Sequence, residues 1–597
     1  MSTLSSENNQ KQETARRTTD PRSRFHTIIG PPGTGKTRTI AEAVSQHVAD
    51  VHTQFGEMPA DHRGQHPAAV VSLTRAAAAE AAGRTGLPRD AVGTLHSFAY
   101  RFLGSPALAT SRELLDDWNQ HHPMETLSGG TAGDLEAPAE AATSGGADGD
   151  GDKMMQLYTL RRAQCLPRDQ WGAALLRFAK QWEQWKHDVD ALDFADLIDQ
   201  AAEQGMPSPG RHLYADEAQD LSEQELRLLR VMAQTCVSMH LVGDPDQALF
   251  TWRGAKPEMF ADERIPAANR RVLEQSYRVP RAVHEAAVRL ISGVRNRPPI
   301  TYHPTDEPGE MKRLKGASYT NPDPLRGVID EELAAGRSVM IAAACEYHLP
   351  RTLKMLRDYA VPFSNPWRRR AGQWNPMHGG GGLSACDRLL AMLRADEGTA
   401  GEEAMIWTYG ELERWTAPLK ATGTLRRGAR AEIELAAGST PDDLVSMDDL
   451  RKWFEADPAD GEPVLAGDVL RLAPVPDRPD AERAAIRERV VNRWVESCQP
   501  KRRCAALFAA KSLLGRGADA IRDEPRVYVG TIHSFKGAEA DTVILYPDVS
   551  PAAIKRWDAV ERDELLRQYY VALTRARRTV YLCDRGSQCA MPMEMLT

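Results

Sequence analysis

The eight residues GPPGTGKT, Gly30 to Thr37, restrict this chain more than any other stretch. They fit G-x-x-x-x-G-K-[ST], follow the apolar run FHTII (25–29) and precede the helix-like RTIAEAVSQHV (38–48). Glycines permit a tight loop whose backbone amides surround phosphate oxygens at a helix N-terminus. Strand, loop and helix in that order predict a parallel α/β sheet with the loop beyond the C-terminal end of a strand. In such a loop Gly30, Pro31, Pro32, Gly33, Thr34 and Gly35 form the cradle, Lys36 neutralises the β- and γ-phosphates, and the Thr37 hydroxyl ligands Mg²⁺.

The rest of the chain repeats the strand–helix alternation twice. FHTIIG, AAVVSL, HLYADE and VSMHLVGD make a first set of apolar strands; RRVLEQ, VMIAAAC, RVYVGTI, DTVILY and TVYLCD make a second. Two sets predict two parallel-sheet lobes. At 597 residues the chain is also too long for one core. The expected division is a flexible tail (1–24), a first lobe (25–102 and 190–268), a second lobe (269–374 and 506–597), and one helical insertion in each lobe (103–189 and 375–505). Residues 128–152, rich in Gly, Ala and acids, read as a disordered loop inside the first insertion. The aromatics Trp171, Phe178, Trp182 and Trp185 nearby have helical spacing and read as a core stripe.

Composition excludes several classes. Apolar content of 42% with 26% charged residues is ordinary for a soluble globular protein. No stretch approaches the ~18 apolar residues of a membrane span, and the polar start lacks a signal-peptide core, so a cytoplasmic protein is expected. Eight cysteines without a C-x-x-C pair argue against a zinc ribbon or a disulfide framework and read as buried thiols. With a net charge of -8, nucleic-acid binding has to rely on local basic runs such as 368–370, 501–503 and 575–578.

Other stretches supply chemistry that complements the loop. In LYADEAQD (213–220) two acids follow a strand: Asp216 is placed to hold Mg²⁺ and Glu217 to act as general base on the attacking water. In VGDPDQALFTWRGA (242–255) Gln247 lies where a parallel sheet presents ligand groups, and Phe250, Trp252 and Arg253 follow. From the residues alone, Phe250 and Trp252 read as core aromatics. Arg278 and Arg575 in the second half are candidates for arginines that meet a nucleotide from a second lobe. Finally, GTLHSF (93–98) and GTIHSF (530–535) are near-copies at opposite ends of the chain. Each reads either as a helix cap or as a phosphate contact through Thr94 and Thr531, with His96 and His533 beside them.

Taken in order, GPPGTGKTR, SLTRAAAAEAAGR, GTLHSF, LDFADL, ADEAQD, VGDPDQALFTWRGA, LEQSYR, TIHSFKGAEADTVIL and YVALTRAR resemble the UvrD/Rep/PcrA-like superfamily 1 DNA helicases across both lobes. The resemblance implies two RecA-like lobes with ATP in the cleft between them and single-stranded DNA across their top. It implies Gln247 as the γ-phosphate sensor, and Arg278 and Arg575 as arginines that stabilise the transferring phosphate. Arg38 and Tyr277 would sandwich adenine, Glu539 would bind ribose, and Gly537 would lie beside it. DNA contacts are implied at Thr74, Arg75, Thr94, His96, Arg253, Thr531 and His533, with Phe250 and Trp252 as base-stacking aromatics. Leu73 departs from the aromatic common in the family, and the adenine-reading glutamine has only Gln10 and Gln12 as candidates. The implied activity is ATP-driven 3′–5′ translocation and unwinding. The alternative is a DNA-gated NTPase switch that recruits a partner such as a nuclease without processive unwinding.

Overall fold

The computed structural model describes residues 24–55, 65–72, 75–128, 150–295, 297–365, 374–377, 382–393, 407–458, 461–472, 479–555, 557 and 561–596. The apolar runs FHTII, HPAAVV, SMHLVG, VMIAA and ADTVIL become buried parallel strands. In chain order the strands are β1 (Phe25–Ile29), β2 (His66–Val71), β3 (Val92–Gly93), β4 (Ala107–Leu108), β5 (Ala191–Leu192), β6 (Gly210–Ala215), β7 (Ser238–Gly243) and β8 (Arg270–Val272), then β9 (Glu310–Leu314), β10 (Val339–Ala343), β11 (Val527–Thr531), β12 (Ala540–Leu545) and β13 (Ala576–Cys583). They build a six-stranded sheet, β3-β2-β6-β7-β1-β8, and a five-stranded sheet, β11-β10-β12-β13-β9. Every pairing in both sheets is parallel. β4 and β5 form a separate parallel pair at the base of the first insertion.

Two strands correct the expected division. β8, read as opening the second set, pairs with β1 at Thr27↔Arg270 and Ile29↔Val272, so residues 270–272 complete the first sheet. The second sheet gains β9 instead, an edge strand whose sequence EMKRL is too polar to read as one. The chain crosses between lobes just after β8, and the helix Arg281–Ile291 buries Val283, Ala287 and Leu290 in the second lobe's core.

The first insertion closes around Trp118, Tyr158, Trp171, Phe178, Trp182 and Trp185, as the core-stripe reading requires. Its indoles are satisfied: Trp182 Nε1 donates to Asp193 Oδ2 at 2.9 Å and Trp185 Nε1 to Asp117 Oδ2 at 2.8 Å. Of the expected loop 128–152, residues 129–149 lie outside the described residues, and 150–152 already belong to the helix Asp150–Ala163. The second insertion is helical around Trp407, Trp415, Trp453 and Trp494, but its core runs on to Ile521, beyond the expected limit at 505. The helix Pro500–Arg516 belongs to both bodies, since Ser512 Oγ donates to Ala360 O in the second lobe at 3.2 Å. Among the described residues no helix is long and apolar enough to cross a membrane. The eight cysteines, all among the described residues, form no disulfide; Cys165 and Cys504 are exposed, against the expectation of burial.

Candidate active site

Strands β6, β7 and β1 are neighbours in the first sheet, so the segments leaving their C-terminal ends converge. The loop after β1 runs into the helix Lys36–Phe55. Thr34 Oγ1 donates to Pro31 O at 2.8 Å, and Lys36 Nζ arches back to Gly30 O at 2.8 Å. Gly33 has φ +74°, and a Cβ there would stand 2.5 Å from Arg278 Cβ. That close approach lets the segment after β8 lie on the loop: Tyr277 N donates to Gly33 O at 2.8 Å and Ser276 Oγ to Pro32 O at 2.7 Å.

Asp216 and Glu217 leave β6 beside this loop. Asp216 N donates to Val71 O at 2.8 Å, and Asp216 Oδ1 accepts from Glu217 N at 2.9 Å. Glu217 holds a left-handed φ of +51°, a conformation costly for a residue with a Cβ and typical of functional turns. Gln219 pins it there: its Nε2 donates to Glu217, and its Oε1 accepts from Asp244 N at 3.0 Å. Burial, with Glu217 alongside, pushes the Asp216 carboxyl up to about 7. Burial acts on Glu217 too, but Lys536 and Lys36 outweigh it and bring the group to about 2. The two adjacent acids are therefore pushed in opposite directions, Glu217 toward the ionised form and Asp216 toward the neutral one. A desolvated carboxyl within electrostatic reach of Lys36, at a phosphate loop, fits a divalent ion of the Mg²⁺ class, whose charge would restore the Asp216 carboxylate.

Gln247 leaves β7 and joins the lobes. Its Nε2 donates to Asp244 Oδ2 at 2.6 Å, and its Oε1 accepts from Arg575 Nη2 at 2.7 Å. Arg575 is 2% exposed, and its Nε and Nη1 donate to Val571 O and Ala538 O at 3.0 and 3.3 Å. Burial and Arg278 lower its guanidinium to about 9, so it stays cationic at neutral pH. The run 575–578 is thus no uniform solvated face; its first member is buried in the cleft.

Lys536, the residue directly after the second six-residue copy, escapes sequence reading. It is buried, pairs with Asp220, and lies 3.4 Å from Glu217. Burial opposes its charge, but Asp220 and Glu217 hold it protonated. Arg278 and Arg577 both pair with Glu539, so the expected phosphate arginine and the expected ribose acid are brought together. Tyr277 is 77% exposed at the mouth of the cleft, and Arg38, also exposed, pairs with Glu42 at 2.7 Å. Gly537 is an exposed left-handed turn between Lys536 and Glu539.

The two six-residue copies fold alike. In each, the serine hydroxyl donates to the threonine carbonyl at 2.8 Å, Ser97 to Thr94 and Ser534 to Thr531. The threonine hydroxyl accepts from the serine N–H, at 3.1 and 3.4 Å. A Cβ on Gly93 would lie 2.5 Å from Ser97 Oγ, and one on Gly530 2.3 Å from Ser534 Oγ, so the glycine is a condition of the turn in both. Thr94 is the N-cap of the helix Leu95–Phe102, whereas Thr531 makes the matching bond as the last residue of β11, ahead of a single turn at His533–Phe535. Thr94 is partly exposed, whereas Thr531 is buried. His96 packs edge-on against Phe194, and burial lowers its pKa; burial and Lys536 bring His533 to about 4.

Among the expected stacking aromatics, Phe250 departs from an open platform. It is 6% exposed in the second lobe's core cluster, with Lys536 and Arg253 each 5.5 Å from its ring centre. Trp252 is partly exposed, and its Nε1 is buried without a hydrogen-bond partner. Arg253 lies 5.9 Å over the Trp252 ring. Thr74, with Leu73, Gln10 and Gln12, lies outside the described residues, and Arg75 opens the helix Arg75–Thr85.

Comparison with known proteins agrees with this geometry. Residues 8–265 match the UvrD/REP helicase N-terminal domain, and residues 493–584 match the UvrD-like helicase C-terminal domain. The ATP-dependent DNA helicase UvrD2 of Mycobacterium tuberculosis is 27% identical over 347 residues, covering 53% of this chain and 47% of the relative. The ATP-dependent DNA helicase Rep of Escherichia coli is 24% identical over 311 residues, 44% of this chain and 41% of the relative. The ATP-dependent DNA helicase PcrA of Staphylococcus aureus is 30% identical over 121 residues, 18% of this chain and 17% of the relative. The matched stretches span less than half the length of these relatives. Two matching domain models, one on each lobe, and two parallel sheets meeting at a phosphate loop place this chain in the UvrD/Rep helicase family.

Proposed function

We propose that the protein is an ATP-driven motor that moves 3′ to 5′ along single-stranded DNA and unwinds duplex DNA. The observation that carries this reading is the chain from Asp244 through Gln247 to Arg575, which links the strand ends of the first sheet to a buried arginine of the second lobe. The relatives named as ATP-dependent DNA helicases support the same reading.

In this account Lys36 and the loop amides bind the β- and γ-phosphates, and Arg278 and Arg575 meet the γ-phosphate from the opposite side. Thr37 and Asp216 would hold Mg²⁺, which neutralises charge on the phosphates when bound. Glu217, ionised because Lys536 and Lys36 outweigh its burial, takes the proton of the attacking water. To reach a γ-phosphate, Arg575 exchanges its bond to Gln247. Gln247 therefore reports whether the lobes hold a triphosphate, and that exchange changes their separation. Arg38 and Tyr277 at the cleft mouth stack on the base, and Glu539 serves the ribose. DNA runs over the strand ends of both lobes, along Thr94, His96, Trp252, Arg253 and His533, and Thr74 and Arg75 are further DNA contacts in this reading. Phe250 and Thr531, both buried, support this surface from beneath. Alternating grip by the two lobes gives net movement.

ATP turnover with and without single-stranded DNA tests the reading. Single-stranded DNA should stimulate the wild type. Arg575→Ala should keep nucleotide binding while turnover falls by about 10³-fold or more. Near-normal turnover in Arg575→Ala would overturn the two-lobe mechanism.

A further inference from the structure

A second cluster of chemically capable side chains lies in the first lobe, away from the cleft. His26 on β1 faces His240 on β7 in register, and Tyr214 on β6 faces His240 from the other side. One row earlier, His212 on β6 faces Ser238 on β7. The helix Lys36–Phe55 lowers His47 onto this face, and its ring stacks on His212 at 3.7 Å. One ring nitrogen each of His47, His212 and His240 lies within 4.8 Å of the others, and all three side chains are partly exposed.

Hydroxyl groups bond to all three rings. His47 Nδ1 meets the Tyr214 hydroxyl at 2.6 Å, His212 Nδ1 meets Ser238 Oγ at 2.8 Å, and His240 Nε2 meets the same Ser238 Oγ at 2.8 Å. One nitrogen of each imidazole thus meets a hydroxyl, and hydrogen bonds of this kind orient metal-binding histidines. Asp50 acts on His47 and His212 as a nearby anion, while Arg211 opposes it at His212.

We propose that His47, His212 and His240 form a binding site for a divalent transition metal of the zinc class, with water completing the coordination. Three imidazoles suit Zn²⁺, Co²⁺, Ni²⁺ or Cu²⁺, and bonds of ~2.0–2.1 Å to Zn²⁺ require the stacked His47 and His212 rings to turn out of their parallel arrangement so that their nitrogens converge. The ion would lie roughly 16 Å from Lys36, eleven residues along a helix at ~1.5 Å per residue. It would tie that helix to β6 and β7, the strands that lead into Asp216 and Asp244. Metal bound here would stiffen the lobe that carries the phosphate loop without touching nucleotide.

The test uses the full chain stripped with chelator, then titrated with Co²⁺ and, separately, Zn²⁺. The wild type should bind one Co²⁺ with a nitrogen–oxygen ligand field and no thiolate charge-transfer band, and Zn²⁺ should raise its thermal midpoint. His212→Gln and His240→Gln should each weaken binding by more than about 100-fold, and Tyr214→Phe by ~10–100-fold. Equal binding in wild type and both histidine variants, a thiolate band, or no binding by the wild type would overturn the site. If the variants fail to fold, the wild-type Co²⁺ spectrum and stoichiometry decide alone.

Discussion

Removing the charge of Lys536 should change how the protein's turnover depends on pH. A carboxyl at 4.5 brought to about 2 in Glu217 favours the charged form by roughly 3 kcal/mol at ~1.36 kcal/mol per pH unit. Burial pushes this group the other way, so the preference comes from its cationic neighbours, with Lys536 foremost. Lys536→Met keeps length and apolar bulk but removes the ammonium 3.4 Å from Glu217. Losing an opposite charge at that distance raises a carboxyl by ~1–3 pH units. The acidic limb of the kcat–pH profile, where the base must be ionised, should move up by that amount, while turnover on the alkaline side changes less. Stability follows the same sign. A lowered carboxyl contributes stability above 4.5 that is lost as pH falls toward 2, so acid unfolding of the variant should be flatter across that window. Asp220 also loses its buried partner, so thermal melts must first show that the variant is folded. Lys536→Arg should restore the profile. A folded Lys536→Met protein with an unmoved acidic limb would refute the electrostatic role of this lysine.

Three further outcomes follow from specific contacts. Gly93→Ala and Gly530→Ala should each destabilise by ~1–3 kcal/mol through overpacking against serine. Pairing each with loss of the hydroxyl (Ser97→Ala or Ser534→Ala) should relieve the first more fully, because Asn365 Nδ2 also stands 2.7 Å from the second site, and urea unfolding measures both. Trp182→Phe deletes the bond to Asp193 and should cost about 2–3 kcal/mol in urea unfolding, with ATP turnover largely retained. DNA affinity should fall steeply with salt, on a log–log slope near -0.7 per phosphate contact for a single strand, measured by fluorescence anisotropy.

The sequence reading succeeds where the signal is local and fails where it is relational. Strand β1, the phosphate loop and its helix are adjacent in the chain, and their residues alone declare them. Which sheet RRV joins depends on a pairing to β1 more than 200 positions earlier, and that information is absent from the residues themselves. Strand β9 is hidden because an edge strand needs no apolar run. Lys536 looks like a surface charge until folding brings it to Asp220, 316 positions away. Phe250 lies in the second lobe's core, as the residues alone suggest, and it is the stacking role implied by the resemblance that its burial contradicts. The four histidines at 26, 47, 212 and 240 carry no motif at all; only the register of three strands and one helix gathers them.

Strand displacement by the purified protein on 3′-tailed, 5′-tailed and blunt duplexes, with Lys36→Ala in parallel, tests the central claim most directly. The account predicts that 3′-tailed DNA is unwound only with ATP and Mg²⁺, that 5′-tailed and blunt duplexes stay largely intact, and that Lys36→Ala is inert on all three. DNA-stimulated ATP hydrolysis without displacement of any of the three would contradict it, and so would preferential unwinding from a 5′ tail.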